Sequence, residues 1–127
     1  MKPFLFSAAN LALAKSGTIN MELALNSVPQ IVGYKVSRVT AFFARNLLRF
    51  NVKYISPVNL LLNKMLIPEF IQENFMPEKI SNSALKILQD FSTRKDMMLG
   101  YEKLKDKLGK PGVTDRASKE ILDLLVQ

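Results

Sequence analysis

The stretch Leu11-Ala12-Leu13-Ala14-Lys15-Ser16-Gly17-Thr18, continued by Ile19-Asn20-Met21-Glu22-Leu23-Ala24-Leu25 and, after a break, by Gln30-Ile31-Val32-Gly33-Tyr34, decides the fold. A short apolar run closed by a glycine turn suits a buried strand of a parallel sheet. Ser16 or Thr18 is placed to cap a helix over residues 19–25. Residues 26–29 end that helix, because Pro29 disfavours helical geometry in the residue before it. The β-branched run from Gln30 to Tyr34 supplies a second strand. Strand, turn, helix and strand make a βαβ unit, so the chain is read as α/β with a parallel sheet.

Outward from this unit, the spacing predicts a strongly amphipathic helix over residues 38–50. Arg38, Arg45 and Arg49 fall within about 40° of one another on its wheel, while Val39, Phe43, Leu47 and Phe50 gather opposite. Residues 52–56 read as a short strand and residues 57–64 as a loop rich in leucine and asparagine. Three helices follow. Their stripes are Ile80, Ala84, Ile87, Leu88 and Phe91; then Met97, Tyr101, Leu104 and Leu108; then Ala117, Ile121, Leu124 and Leu125. These are spacings of core-facing helix faces.

Composition narrows the chemistry. At 127 residues, 48% of them hydrophobic, the chain is long enough for one domain with a modest core and too apolar for a disordered one. Cysteine and histidine are absent, which removes thiolate nucleophiles, disulfides, the usual zinc sites and a histidine general base. No apolar run reaches the roughly 18 to 20 residues that span a bilayer, so a soluble or peripheral cytoplasmic protein is expected. The net charge of +7 is one-sided: residues 1–64 hold eight Lys or Arg against the single acid Glu22, and residues 65–127 hold ten of each sign. The anion-facing surface therefore belongs to the first half.

Four features can carry function. Ser16-Gly17-Thr18 at a strand-to-helix turn offers backbone N–H groups, the helix dipole and two hydroxyls to a phosphate, or is simply the cap of a helix. Glu22, one turn into that helix, can accept hydrogen bonds from a ribose, or merely complements the dipole. The Arg38, Arg45 and Arg49 stripe beside an apolar face suits anionic lipid headgroups and the membrane interface, or is a solvated face. Nucleic acid would also suit a basic patch, but no recognisable nucleic-acid motif accompanies it. Asn59 follows the expected strand end, at the sheet edge where ligands bind in α/β folds, or is a turn asparagine.

These features occur in a familiar order. Ala12-Leu13-Ala14-Lys15-Ser16-Gly17-Thr18, Met21-Glu22-Leu23-Ala24-Leu25, Val28-Pro29-Gln30-Ile31-Val32-Gly33-Tyr34-Lys35, Tyr54-Ile55-Ser56, Asn59-Leu60-Leu61, Ile67-Pro68-Glu69-Phe70-Ile71-Gln72-Glu73 and Pro77-Glu78 resemble segments of the lipid-A-disaccharide synthases, and the likeness runs from about Ala8 onward. The resemblance implies a partial Rossmann-like sheet from the carboxy-terminal donor-binding domain of a glycosyltransferase with two such domains (GT-B). Residues 8–75 would form its βα core and residues 76–127 its terminal helices. The implied reaction transfers a 2,3-diacylglucosamine from its UDP donor to 2,3-diacylglucosamine 1-phosphate (lipid X), without metal or other cofactor, at the cytoplasmic face of the inner membrane. Ser16, Gly17 and Thr18 would hold donor phosphate, Glu22 the ribose, and Asn59 would serve catalysis and donor binding. Arg38, Arg45 and Arg49 would meet lipid or membrane, and nucleic acid is not expected as a partner.

Two local departures accompany the resemblance: Pro57-Val58 stands where the family has Leu-Pro before the asparagine, and Leu62-Asn63-Lys64-Met65 where a small residue, glycine, arginine and glutamate are usual. The amino-terminal acceptor half, which supplies the carboxylate base, is expected to be missing, so the chain alone is expected to lack transfer activity. That half, or a second copy of the chain, is the expected protein partner. A different class of reading is a non-enzymatic α/β module that keeps a nucleotide-phosphate turn and a membrane-seeking helix.

Overall fold

The computed structural model describes residues 2–35, 53–110 and 112–125. A short helix α1 (Lys2–Ala8) leads into strand β1 (Ala12–Lys15), helix α2 (Thr18–Leu25) and strand β2 (Gln30–Tyr34). Helix α3 (Pro57–Leu62), strand β3 (Glu69–Ile71) and a 3-10 turn (Gln72–Asn74) follow, and then helices α4 (Pro77–Gln89), α5 (Phe91–Leu108) and α6 (Val113–Leu125). The strands form one parallel sheet in the order β1-β2-β3. Ala12 faces Gln30 and Lys15 faces Gly33 on one side of β2; Val32 faces Glu69 and Tyr34 faces Ile71 on the other. The fold is thus α/β with a parallel sheet, as the βαβ unit requires.

The core is built where the chain crosses itself. Ile31 and Val32 of the central strand, Ala24 of α2, Val58 of α3, Ile67, Ile87 of α4, and Met97, Tyr101 and Leu104 of α5 are buried together. Burial pushes the Tyr101 phenol well above its ordinary range, with the hydrogen bond from Gln30 opposing the shift in part. Gly100 is where α5 comes close to the β3 approach: a Cβ there would overlap the Leu66 side chain, meeting even its Cγ at 2.9 Å. We expect Gly100→Ala to lower stability by about 1 to 3 kcal/mol through overpacking, despite alanine's better helix propensity; urea melts that show a gain would refute this packing.

Several expectations change. Residues 57–64 are not a loop: α3 begins at Pro57, capped by Ser56, whose hydroxyl accepts from the Asn59 N–H at 3.2 Å, and ends at Asn63 in the left-handed region. Proline suits the first helical position because its missing N–H has no partner there in any case. The strand expected over residues 52–56 is not one over its described part, residues 53–56; the third strand is Glu69–Ile71. Strand β1 is a half-open edge rather than a buried strand, with Leu13 61% exposed. Among the described residues its one strand neighbour is β2.

The helix stripes are met unevenly. Ile87, Met97, Tyr101 and Leu104 are buried, and Ile80 and Ala84 pack against them. Leu88, Phe91 and Leu108 are exposed. On α6, Ile121, Leu124 and Leu125 are 59%, 72% and 77% exposed, so this stripe faces no core among the described residues. The arginine helix expected over residues 38–50, with Arg38, Arg45 and Arg49, lies outside the described residues. Among the described residues, no helix is long and apolar enough to cross a membrane.

Candidate functional site

Strand β1 delivers Ser16-Gly17-Thr18 to the carboxyl edge of the sheet, beside Tyr34 at the end of β2. This is where α/β sheets bind ligands. Neither Ser16 nor Thr18 caps α2. Gly17 occupies the cap position with φ 157° and ψ −167°, a conformation essentially confined to glycine. A Cβ built on Gly17 would have nothing within 4 Å. The glycine is therefore demanded by the backbone, and the space above it is open. The N–H groups that open α2, at Thr18 and Ile19, have no helical partner by construction and point out of the helix end, whereas that of Asn20 donates to the Gly17 carbonyl at 3.1 Å.

Two clamps hold this turn. On one side the Asn20 Oδ1 accepts the Gly17 N–H at 2.8 Å. Asn20 is itself fixed, because its Nδ2 donates to Gln30 Oε1 at 3.0 Å and its carbonyl accepts from Gln30 Nε2 at 2.9 Å. Gln30 Nε2 also donates to the Tyr101 hydroxyl at 3.3 Å, so the chain of bonds runs from the turn to the middle of α5. Asn20 and Gln30 are both wholly buried, and burying amides is tolerable only when they are paired in this way.

On the other side the Ser16 hydroxyl donates to the Ile55 carbonyl at 2.6 Å. Ser16, Tyr34, Tyr54, Ile55 and Leu60 line a cleft of about 320 Å³ open to solvent. Lys15 Nζ lies 5.6 Å from the Tyr34 ring centre and Lys53 Nζ 5.2 Å from that of Tyr54. Two cations thus stand over the aromatic walls. Glu22 is half-buried on α2, one turn after Thr18 and on the same face.

Asn59 lies at 0% exposure, behind the cleft wall rather than on it. Its Oδ1 accepts the Leu66 and Ile67 N–H groups, each at 2.9 Å. Its Nδ2 donates to the Ile67 carbonyl at 2.8 Å and to Glu69 Oε1 at 2.7 Å. The Glu69 carboxylate also accepts the Ile55 and Ser56 N–H groups, at 2.8 and 2.9 Å. The structure therefore brings Ser16, Gly17, Thr18 and Glu22 to one edge and sets Asn59 in the layer beneath, joined to Ser16 through Glu69 and the residue 55–56 peptide. Asn20, Gln30 and Glu69 were not singled out from the sequence. For Glu69 the only signal was its place in the Pro68-Glu69-Phe70-Ile71 segment.

The profile of the family described as lipid-A-disaccharide synthetase matches residues 3–121. The lipid-A-disaccharide synthase of Prochlorococcus marinus (strain MIT 9313) is 58% identical over 124 residues, covering 98% of this chain and 32% of that protein. Those of Gloeothece citriformis (strain PCC 7424) and Synechocystis sp. (strain ATCC 27184 / PCC 6803 / Kazusa) are 44% and 38% identical, each over 117 residues, 92% of this chain and 30% of the relative. The chain spans about a third of the length of these relatives, and across that span it belongs to the lipid-A-disaccharide synthase family.

Proposed function

We propose that this chain is the donor-binding part of a glycosyltransferase that moves a 2,3-diacylglucosamine from UDP to 2,3-diacylglucosamine 1-phosphate, giving the disaccharide 1-phosphate and UDP. The observation that carries the reading is the turn at Gly17: a glycine-only conformation at the carboxyl edge of a parallel sheet, with open space above it and a helix start behind it. In this proposal the N–H groups opening α2, with Ser16, Gly17 and Thr18, receive the donor diphosphate. Glu22, on the face of α2 shared with Thr18, accepts the ribose hydroxyls. Asn59 serves donor binding and catalysis from the layer below, by fixing the loop that forms the cleft wall.

Tyr34, Tyr54, Ile55 and Leu60 offer an apolar wall to the sugar or its acyl groups. The Arg38, Arg45 and Arg49 stripe holds the protein against anionic lipid at the cytoplasmic side of the inner membrane. Acceptor binding and the catalytic base belong to the two thirds of the relatives that this chain does not span. We expect the chain to bind UDP and to form no disaccharide alone, and to support disaccharide formation when mixed with the separately expressed amino-terminal part of the Prochlorococcus relative. Disaccharide made by the chain alone would show that the base lies within it. Failure to bind UDP by a folded chain would remove the donor-site reading and leave a non-enzymatic module.

A further inference from the structure

We propose that Glu69 is a positioning residue for the donor turn, acting on Ser16 through the peptide unit between Ile55 and Ser56; this rests on the reading of residues 16–18 as the phosphate turn. A trans peptide is a rigid plane whose C=O and N–H point in opposite directions. Glu69 accepts the N–H of Ser56 through Oε1 at 2.9 Å. The C=O of the same plane is that of Ile55, which accepts the Ser16 hydroxyl at 2.6 Å. Gripping one end of the plane aims the other end at Ser16.

The grip is redundant in a way that fixes rotation. Glu69 Oε2 takes the preceding N–H, that of Ile55, at 2.8 Å, so two successive peptide units are held by one carboxylate. Asn59 Nδ2 pins Oε1 from behind at 2.7 Å. Glu69 opens β3, which the sheet holds beside Val32 of β2. The carboxylate thus connects the sheet to residues 53–56, a stretch with no strand partner among the described residues. Ser16 is the only residue of the turn that this stretch reaches among the hydrogen bonds of the described residues, and its hydroxyl carries the connection. Gln in place of Glu69 would present an NH₂ to one of two N–H donors, and Asp would be too short by one methylene to span both.

The test is a double-mutant cycle read by UDP binding calorimetry on the whole chain, with Ser16→Ala, Glu69→Gln and the double variant. Thermal melts confirm that each sample is folded. We expect each single change to weaken UDP about tenfold, the scale of one lost hydrogen bond, and the double change to weaken it no further. Ser16→Thr, which keeps the hydroxyl, should recover most of the affinity lost in Ser16→Ala. A purely structural Glu69 would lower the melting temperature without this non-additivity.

Losses that multiply in the double variant, or UDP affinity untouched by Glu69→Gln while Ser16→Ala weakens it, would overturn the positioning role and leave the phosphate turn standing. Unchanged UDP affinity in Ser16→Ala and in Gly17→Val alike would overturn the turn itself, and the role of Glu69 with it. Glu69→Asp carries the same expectation should Glu69→Gln fail to fold.

Discussion

Asn59→Ala will cost the fold about 3 to 5 kcal/mol, since it strips partners from several buried groups at once. The amide is wholly buried and every one of its bonds runs to the protein. Alanine leaves the Ile67 N–H and the Ile67 carbonyl without it, each orphaned group costing about 1 to 3 kcal/mol, while the Leu66 N–H loses one of two acceptors and keeps the Lys64 carbonyl at 2.9 Å. Water entering the vacated space recovers part of this, which sets the estimate below the simple sum. Urea unfolding measures it; a loss under about 1 kcal/mol would show the network to be slack.

Asn59→Asp separates the two ends of the amide. An aspartate oxygen can still accept the two N–H groups, but its second oxygen would stand where Nδ2 now lies 2.7 Å from the Glu69 carboxylate. Two such carboxylates hold one proton between them, so the folded-state pKa of the pair is raised above its unfolded value. The folded form then holds a proton that the unfolded form releases, so the penalty of the substitution is smallest in acid and grows as pH rises. The parent chain, with a neutral amide at this position, should not share that trend.

How much of this was legible in the sequence depends on the kind of signal each element leaves. The β1-turn-α2-β2 unit was readable because periodicity changes at a glycine and again at Asn26-Ser27-Val28-Pro29. The helix ends there by the Asn26 amide and N–H both reaching the Glu22 carbonyl, at 2.8 and 3.1 Å. Helix α3 was not readable from periodicity, since six residues with three successive leucines show no face. Its marks were local: a serine cap and a proline at the first position. Strand β3 has three residues, too few for an alternating pattern, and opens on a glutamate whose reason for being there is 13 residues away at Ser56.

The same limit governs the site. A turn is written in consecutive residues, so Ser16, Gly17 and Thr18 could be found by reading. A clamp is written in distant ones, so Asn20 with Gln30, and Glu69 with Ile55, could not. Nor does a helical stripe say what covers it: the apolar faces of α5 and α6 have the same spacing, yet Tyr101 and Leu104 are buried where Ile121 and Leu124 are open.

Gly17→Val will abolish most UDP affinity while leaving the sheet and core in place. The backbone at Gly17 has φ 157° and ψ −167°, and holding a side-chain-bearing residue in such a region costs about 1 to 3 kcal/mol. A Cβ there meets no neighbour within 4 Å, so the β-carbon adds no packing clash to that strain. Stability should fall by roughly the strain alone, about 1 to 3 kcal/mol, or less if the turn relaxes. Relaxation would itself harm binding, because it breaks the Gly17 N–H bond to Asn20 and turns the first N–H groups of α2 away from the edge. If the turn does not relax, the valine methyls occupy the open space that the proposal gives to the diphosphate. Either route removes several hydrogen bonds to an anion, and a loss of about 3 kcal/mol in binding is over a hundredfold in affinity. Calorimetry with UDP beside a thermal melt distinguishes the two quantities. A cooperative melt with UDP affinity within about threefold of the parent would mean that the phosphate sits elsewhere, because a site built on this turn could not tolerate a change of less than about 0.7 kcal/mol there.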